Sequence, residues 1–168
     1  MSPGLELSVV EGDITTLRVD AIVNAASRAM RGGGGVDGAI HRAAGPGLLE
    51  ECRERFPHGL ETGAAGWTTA HDLPARWVIH VVGPNHAAGE RDRALLVSCY
   101  ANALRVADEL GATSVAFPLV SAGIYGWPLD DAVAAAVDTL LATPTSVRSA
   151  VVVAFGGSTY ERVRSYLG

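Results

Sequence analysis

Residues 32–35 are four consecutive glycines, and Asp37 follows two positions after the last of them. A run without Cβ atoms lets a ligand approach the backbone and lets successive N–H groups turn inward. Placed just before a helix, it has the geometry of an anion site. Asp37 would lie in the first turn of that helix, where the positive dipole end favours a carboxylate. Beside a bound ligand it could position or deprotonate water. Residue type alone leaves two readings: an ordinary helix-start acid behind a surface loop, or a reactive carboxylate next to an anion. A second loop, Ser121-Ala122-Gly123-Ile124-Tyr125-Gly126, favours the latter, because two backbone-exposing loops at one edge would close on a diphosphate from opposite sides.

Other chemistries fit poorly. Gly33 to Gly38 formally matches G-x-G-x-x-G, but Ala25 to Arg31 separate it from the preceding strand, and no strand ends in an acid at the dinucleotide-binding offset. Ser121 has Leu119 where a hydrolase nucleophile elbow needs glycine. All 13 basic side chains are Arg, which removes Walker-type phosphate binding, pyridoxal Schiff bases and lysine nucleophiles. His41 lies one turn after Asp37 on the same face, as a packing residue or as an Asp–His relay partner. His58, His71, His80 and His86 show no metal spacing. Asp13, after Gly12, reads as a turn cap or as an acceptor for an exocyclic amine. Phe155, before Gly156-Gly157, reads as core or as a surface on which a base stacks.

These groups need a frame. Strands are expected at Leu5 to Val10, Val19 to Asn24, Trp77 to Val82, Ser114 to Pro118 and Ala150 to Phe155. Helices are expected at Val36 to Ala44, Pro46 to Arg55, Arg91 to Leu110, Leu129 to Leu141 and Thr159 to Leu167. Residues 59–74 hold either a strand near Gly66 to Ala70 or only a loop. The alternation predicts an α/β class protein, a three-layer α/β/α sandwich around a mixed, largely parallel sheet, with the ligand beyond the carboxyl ends of its strands. The 168 residues suit a single domain, 1–168. A net charge of −5 argues against binding long nucleic acid. Cys52 and Cys99 form no C-x-x-C, and no basic export segment or 18-residue apolar run occurs, so a cytoplasmic protein with no membrane span is expected.

Taken together, Gly12-Asp13-Ile14-Thr15, Val19 through Ala26, Gly32 through His41, Val78-Ile79-His80-Val81-Val82-Gly83-Pro84 and Ser121 through Gly126 resemble a macrodomain, most closely the MacroD-type branch. The resemblance runs from about residue 7 to the last helix. It implies binding of ADP-ribose and of ADP-ribosylated proteins as partners, by a monomer needing no metal or cofactor. It also implies hydrolysis of mono-ADP-ribose from Asp and Glu side chains, with O-acetyl-ADP-ribose deacetylation as a further activity. By the same resemblance, Asp13 accepts the adenine amino group, Ile14 adds backbone contact and Phe155 packs on the base. Gly33, Gly34, Gly35 and Val36, facing Ser121, Ala122, Gly123, Ile124 and Tyr125, wrap the diphosphate and distal ribose, Asn24, which begins the Asn-Ala-Ala element, is a further ADP-ribose-binding residue, and Asp37 is catalytic. The chain departs from the family's usual Asn-Ala-Ala-Asn at Asn24-Ala25-Ala26-Ser27, where a hydroxyl replaces an amide beside the ribose. Ser27 therefore counts among the catalytic candidates, and a non-catalytic ADP-ribose reader is the alternative. Trp127, where Tyr is frequent, is expected at the rim.

Overall fold

In the computed structural model, which describes residues 4–168, the elements in chain order are β1 (Glu6–Glu11), β2 (Ala21–Ala26), α1 (Gly35–Ala44), α2 (Pro46–Arg55), β3 (Ala65–Thr69), β4 (Trp77–Val82), α3 (Arg93–Leu110), β5 (Ser114–Phe117), α4 (Leu129–Ala142), β6 (Ser149–Ala154) and α5 (Gly157–Leu167). The strands form one sheet in the order β1-β6-β5-β2-β4-β3. Every neighbouring pair is parallel except β3 with β4 at the edge. The segment left open between strand and loop is thus a strand, and its antiparallel pairing makes the sheet mixed.

Both faces of the sheet are covered, which is why the central strands read as unbroken apolar runs. Ala21, Val23, Ile79, Val81, Val115, Phe117 and Val152 face one core with Leu96, Tyr100, Leu104 and Leu140 of α3 and α4 and Val163 of α5. The alternate residues Ile22, Val78, Val82, Ala116 and Val153 face the other, against Ile40 of α1 and Leu48 and Cys52 of α2. Helix ends follow local chemistry. Asp92 caps α3 by accepting the Ala94 N–H at 3.0 Å, so the helix starts at Arg93, two residues after the expected start, and Gly111 ends it in left-handed backbone.

β2 begins two residues later than the apolar run suggests because Asp20 is committed below the sheet. Its N–H donates to Ser114 Oγ, its carboxylate accepts from Thr113, and its carbonyl accepts from Arg76 and Trp77. The ladder between β2 and β5 contains only Ala21↔Val115 and Ile22↔Ala116. From that pair the chain leaves in opposite directions: β2 leads through α1, α2 and β3 to β4, and β5 leads through α4 to β6. Such a switch point opens a crevice beyond the strand ends. Among the described residues, no helix is long and apolar enough to cross a membrane.

Candidate active site

The crevice contains a cleft of about 290 Å³ lined by segments that follow β2, β4 and β5. Ala25, Ser27 and Gly33 to Asp37 form one wall, Gly83 the floor beyond β4, and Leu119 to Ser121 with Gly123 to Tyr125 the opposite wall. Of the residues singled out from sequence, Ser27, Gly33, Gly34, Gly35, Val36, Asp37, Ser121, Gly123, Ile124 and Tyr125 line this one cavity. Ala122 lies in the same loop but not on the lining.

Both walls present backbone donors. α1 starts at Gly34 without a side-chain cap, leaving its first N–H groups open. Among the described residues, the N–H groups of Gly33 to Asp37 donate to no protein acceptor, and neither do those of Ser121, Gly123, Ile124 and Tyr125. Ser121 holds this second row in place with φ of 65°, a left-handed conformation unusual for a residue with a Cβ. Tyr100, buried beneath it, accepts the Val120 N–H on its hydroxyl at 2.9 Å and donates to the Pro118 carbonyl. The Trp127 N–H ties the other end to the Ser121 carbonyl at 2.9 Å. Gly83 lets the loop come this near: a Cβ there would run into Ser121 Oγ and Val120 Cγ1.

Asp37 stands at the end of the glycine wall, 5% exposed. Its Oδ1 accepts from Asn24 Nδ2 at 2.8 Å and lies 3.4 Å from His41 Nε2. Its Oδ2 has no protein donor among the described residues and lies against Gly33, where a Cβ would stand 3.2 Å away. One oxygen is therefore anchored and the other is free, which suits a carboxylate that orients water. Asn24 itself is fully buried, behind the cleft and not on its surface, and its Oδ1 has no partner among the described residues. The Ser121 hydroxyl is likewise buried and has no partner among the described residues.

Asp13 and Phe155 sit outside the cavity, on a shelf at the ends of β1 and β6, where the Gly12 N–H bonds the Ala154 carbonyl at 3.0 Å. Asp13 does cap a 3-10 turn: Oδ1 accepts from the Thr15 N–H and hydroxyl at 2.9 and 2.7 Å. Among the described residues, Oδ2 has no protein donor. Ile14 is buried in the same turn. Phe155 is 90% exposed rather than core, because Gly156, with φ of 102°, turns the chain into α5 immediately after it. Trp127 is not a rim residue: it is buried, packs edge-on against His86, and donates its indole N–H to Asp131 at 2.9 Å. Residue type alone missed Gly83, and it missed His80 and Thr68 behind Asn24. A histidine inside the apolar run Val78-Ile79-His80-Val81-Val82 was the available signal, since a buried ring must find partners.

The sequence profile of the Macro domain family matches residues 23–136, which carry both walls of the cleft. The chain belongs to the Macro domain family. This macro domain is 54% identical over 166 residues to a macro domain-containing protein of Streptomyces coelicolor, covering 96% of this chain and 98% of that one. It is 50% identical over 138 residues to the human ADP-ribose glycohydrolase MACROD2, covering 80% of this chain and 32% of that protein. Among solved structures, the Oceanobacillus iheyensis macrodomain with ADP superposes with a TM-score of 0.90 at 38% identity, covering 96% of this chain and 89% of that one. The Trypanosoma brucei macrodomain in complex with ADP-ribose gives 0.89 at 38%, covering 97% and 69%.

Proposed function

We propose that this macro domain binds ADP-ribose and hydrolyses the ester joining C1″ of its distal ribose to an Asp or Glu side chain, releasing ADP-ribose and a free carboxyl group. The observation that carries this reading is the convergence on one cleft of two rows of unpaired backbone N–H groups and the free oxygen of Asp37. Amide donors at a helix start and in a left-handed turn suit a pyrophosphate without any cationic side chain. Adenine would lie on the shelf between Asp13 Oδ2 and Phe155. The distal ribose would reach Ser27, Tyr125 and Asp37, where Asp37 orients the attacking water. The hydrolase named among the relatives supports the same chemistry. O-acetyl-ADP-ribose, whose acetyl ester sits on the same sugar, is a second substrate of this site.

The test is incubation with acid-linked, serine-linked and arginine-linked ADP-ribosylated substrates side by side, alongside calorimetric titration with ADP-ribose. Release from the acid-linked substrate alone is expected. Tight binding with no product from any substrate would instead mark a reader of the modification. That second reading draws on Ser27, which lines the cleft wall where the family's sequence pattern commonly has an Asn. Restored release in Ser27→Asn would locate the defect there.

A further inference from the structure

Asp37 is the outer end of a line of buried polar groups that runs across three strands. Asn24 Nδ2 lies 2.8 Å from Asp37 Oδ1 and 3.1 Å from His80 Nδ1, and His80 Nε2 lies 2.9 Å from Thr68 Oγ1. Asn24, His80 and Thr68 are fully buried. Asn24 and His80 are register partners on β2 and β4, so their side chains emerge side by side on the face covered by α1 and α2. Phe56 packs edge-on against the imidazole at 6.1 Å, in space that exists because residue 66, opposite His80 on β3, is glycine. None of these three polar residues lines the cleft.

The donor and acceptor inventory orders the chain. Burial holds His80 neutral, its pKa depressed to about 3, so one ring nitrogen carries a proton and the other accepts. An amide nitrogen only donates, which makes Nδ1 the acceptor and puts the proton on Nε2, directed to Thr68 Oγ1. The opposite amide orientation would set Asn24 Oδ1 against the Asp37 carboxylate. Both Asn24 amide hydrogens are therefore spent, one on Asp37 and one on His80, and the amide plane is held from both sides.

We propose that His80 is a positioning residue for Asp37, acting through Asn24: the Nε2–H tautomer, whose proton Thr68 Oγ1 accepts, clamps the Asn24 amide so that it presents a hydrogen to Asp37 Oδ1 and leaves Oδ2 for the reacting water. The proposal rests on the reading of Asp37 given above. Asn24 on this account serves the carboxylate and not the sugar.

The experiment uses the full chain with Asn24→Ala, His80→Leu, the double variant and His80→Asn, together with ¹⁵N spectra of the imidazoles in the parent. His80→Leu and Asn24→Ala should each lower kcat for ADP-ribose release by about 10- to 100-fold, the scale set by misplacing a catalytic group, while the Kd for ADP-ribose stays at the parent value. The double variant should be no slower than Asn24→Ala, because residues acting as one unit are not additive. His80→Asn, whose side-chain oxygen falls near the position of Nδ1, should recover most of the turnover. A protonated Nδ1 in the parent overturns the proposal without any variant. So do additive losses in the double variant, or parental kcat in a folded His80→Leu. If the parent releases no ADP-ribose from any substrate, the hydrolase reading fails while the tautomer result still stands.

Discussion

The two oxygens of Asp37 are unequal, one fixed by Asn24 and the other open beside Gly33, and this asymmetry sets what truncation should do. Asp37→Ala should slow ADP-ribose release by about 10²–10⁴-fold, the usual worth of general-base assistance, with little change in Kd; single-turnover release and calorimetry check the two halves. Gly83→Ala tests the other wall. Its added methyl would displace Ser121 and Val120, so ADP-ribose affinity should fall and stability drop by about 1–3 kcal/mol, the ordinary cost of overpacking, read by calorimetry and urea unfolding. Asp37 and the glycine run could be seen in the sequence because their chemistry is local. The left-handed turn at Ser121 could not, because Tyr100 and Gly83 from two distant parts of the chain shape it together with Trp127 at the loop's own end.

At the scale of elements, β3 shows how one residue can set a strand's fit. Phe56, just past the end of α2, occupies the space above Gly66, where a Cβ would come within 2.5 Å of Cε1. Gly66→Ala should therefore cost about 1–3 kcal/mol in urea unfolding and loosen Phe56 from His80. Most strands and helices were legible from apolar periodicity, whereas their order across the sheet was not. What stayed illegible had non-local causes. Residues 65–69 become a strand because β4 offers an unpaired edge, and Val19-Asp20 leave β2 because Asp20 bonds Thr113, Ser114, Arg76 and Trp77. Phe155 leaves β6 for a reason that was local, the glycine that follows it.

For the whole molecule, acid should weaken the fold through two groups, the buried His80 and the half-buried Glu51. Burial depresses His80 from 6.5 to about 3, partly offset by the nearby Asp37 carboxylate. The unfolded chain then binds a proton that the folded chain refuses, so stability is complete above pH 6.5 and declines as pH falls toward 3. Glu51 adds to this at lower pH: burial would raise its pKa, but hydrogen bonds from Thr69, Arg55 and His71 hold it at about 2 against 4.5, so its contribution fades below pH 4.5. Urea midpoints measured from pH 7 to 4 should fall, and His80→Asn should flatten the slope between 6.5 and 4.5. The cleft joins the two directions in which the chain leaves the sheet centre, and Ile124 spans it, 72% exposed yet close enough that a Cβ on Gly34 would stand 3.2 Å from its Cδ1. On the proposed reading, a nucleotide entering or leaving the cleft would pass this side chain. Residence time, more than equilibrium affinity, is then the quantity this latch controls, and Ile124→Ala should quicken association and escape together in stopped-flow traces.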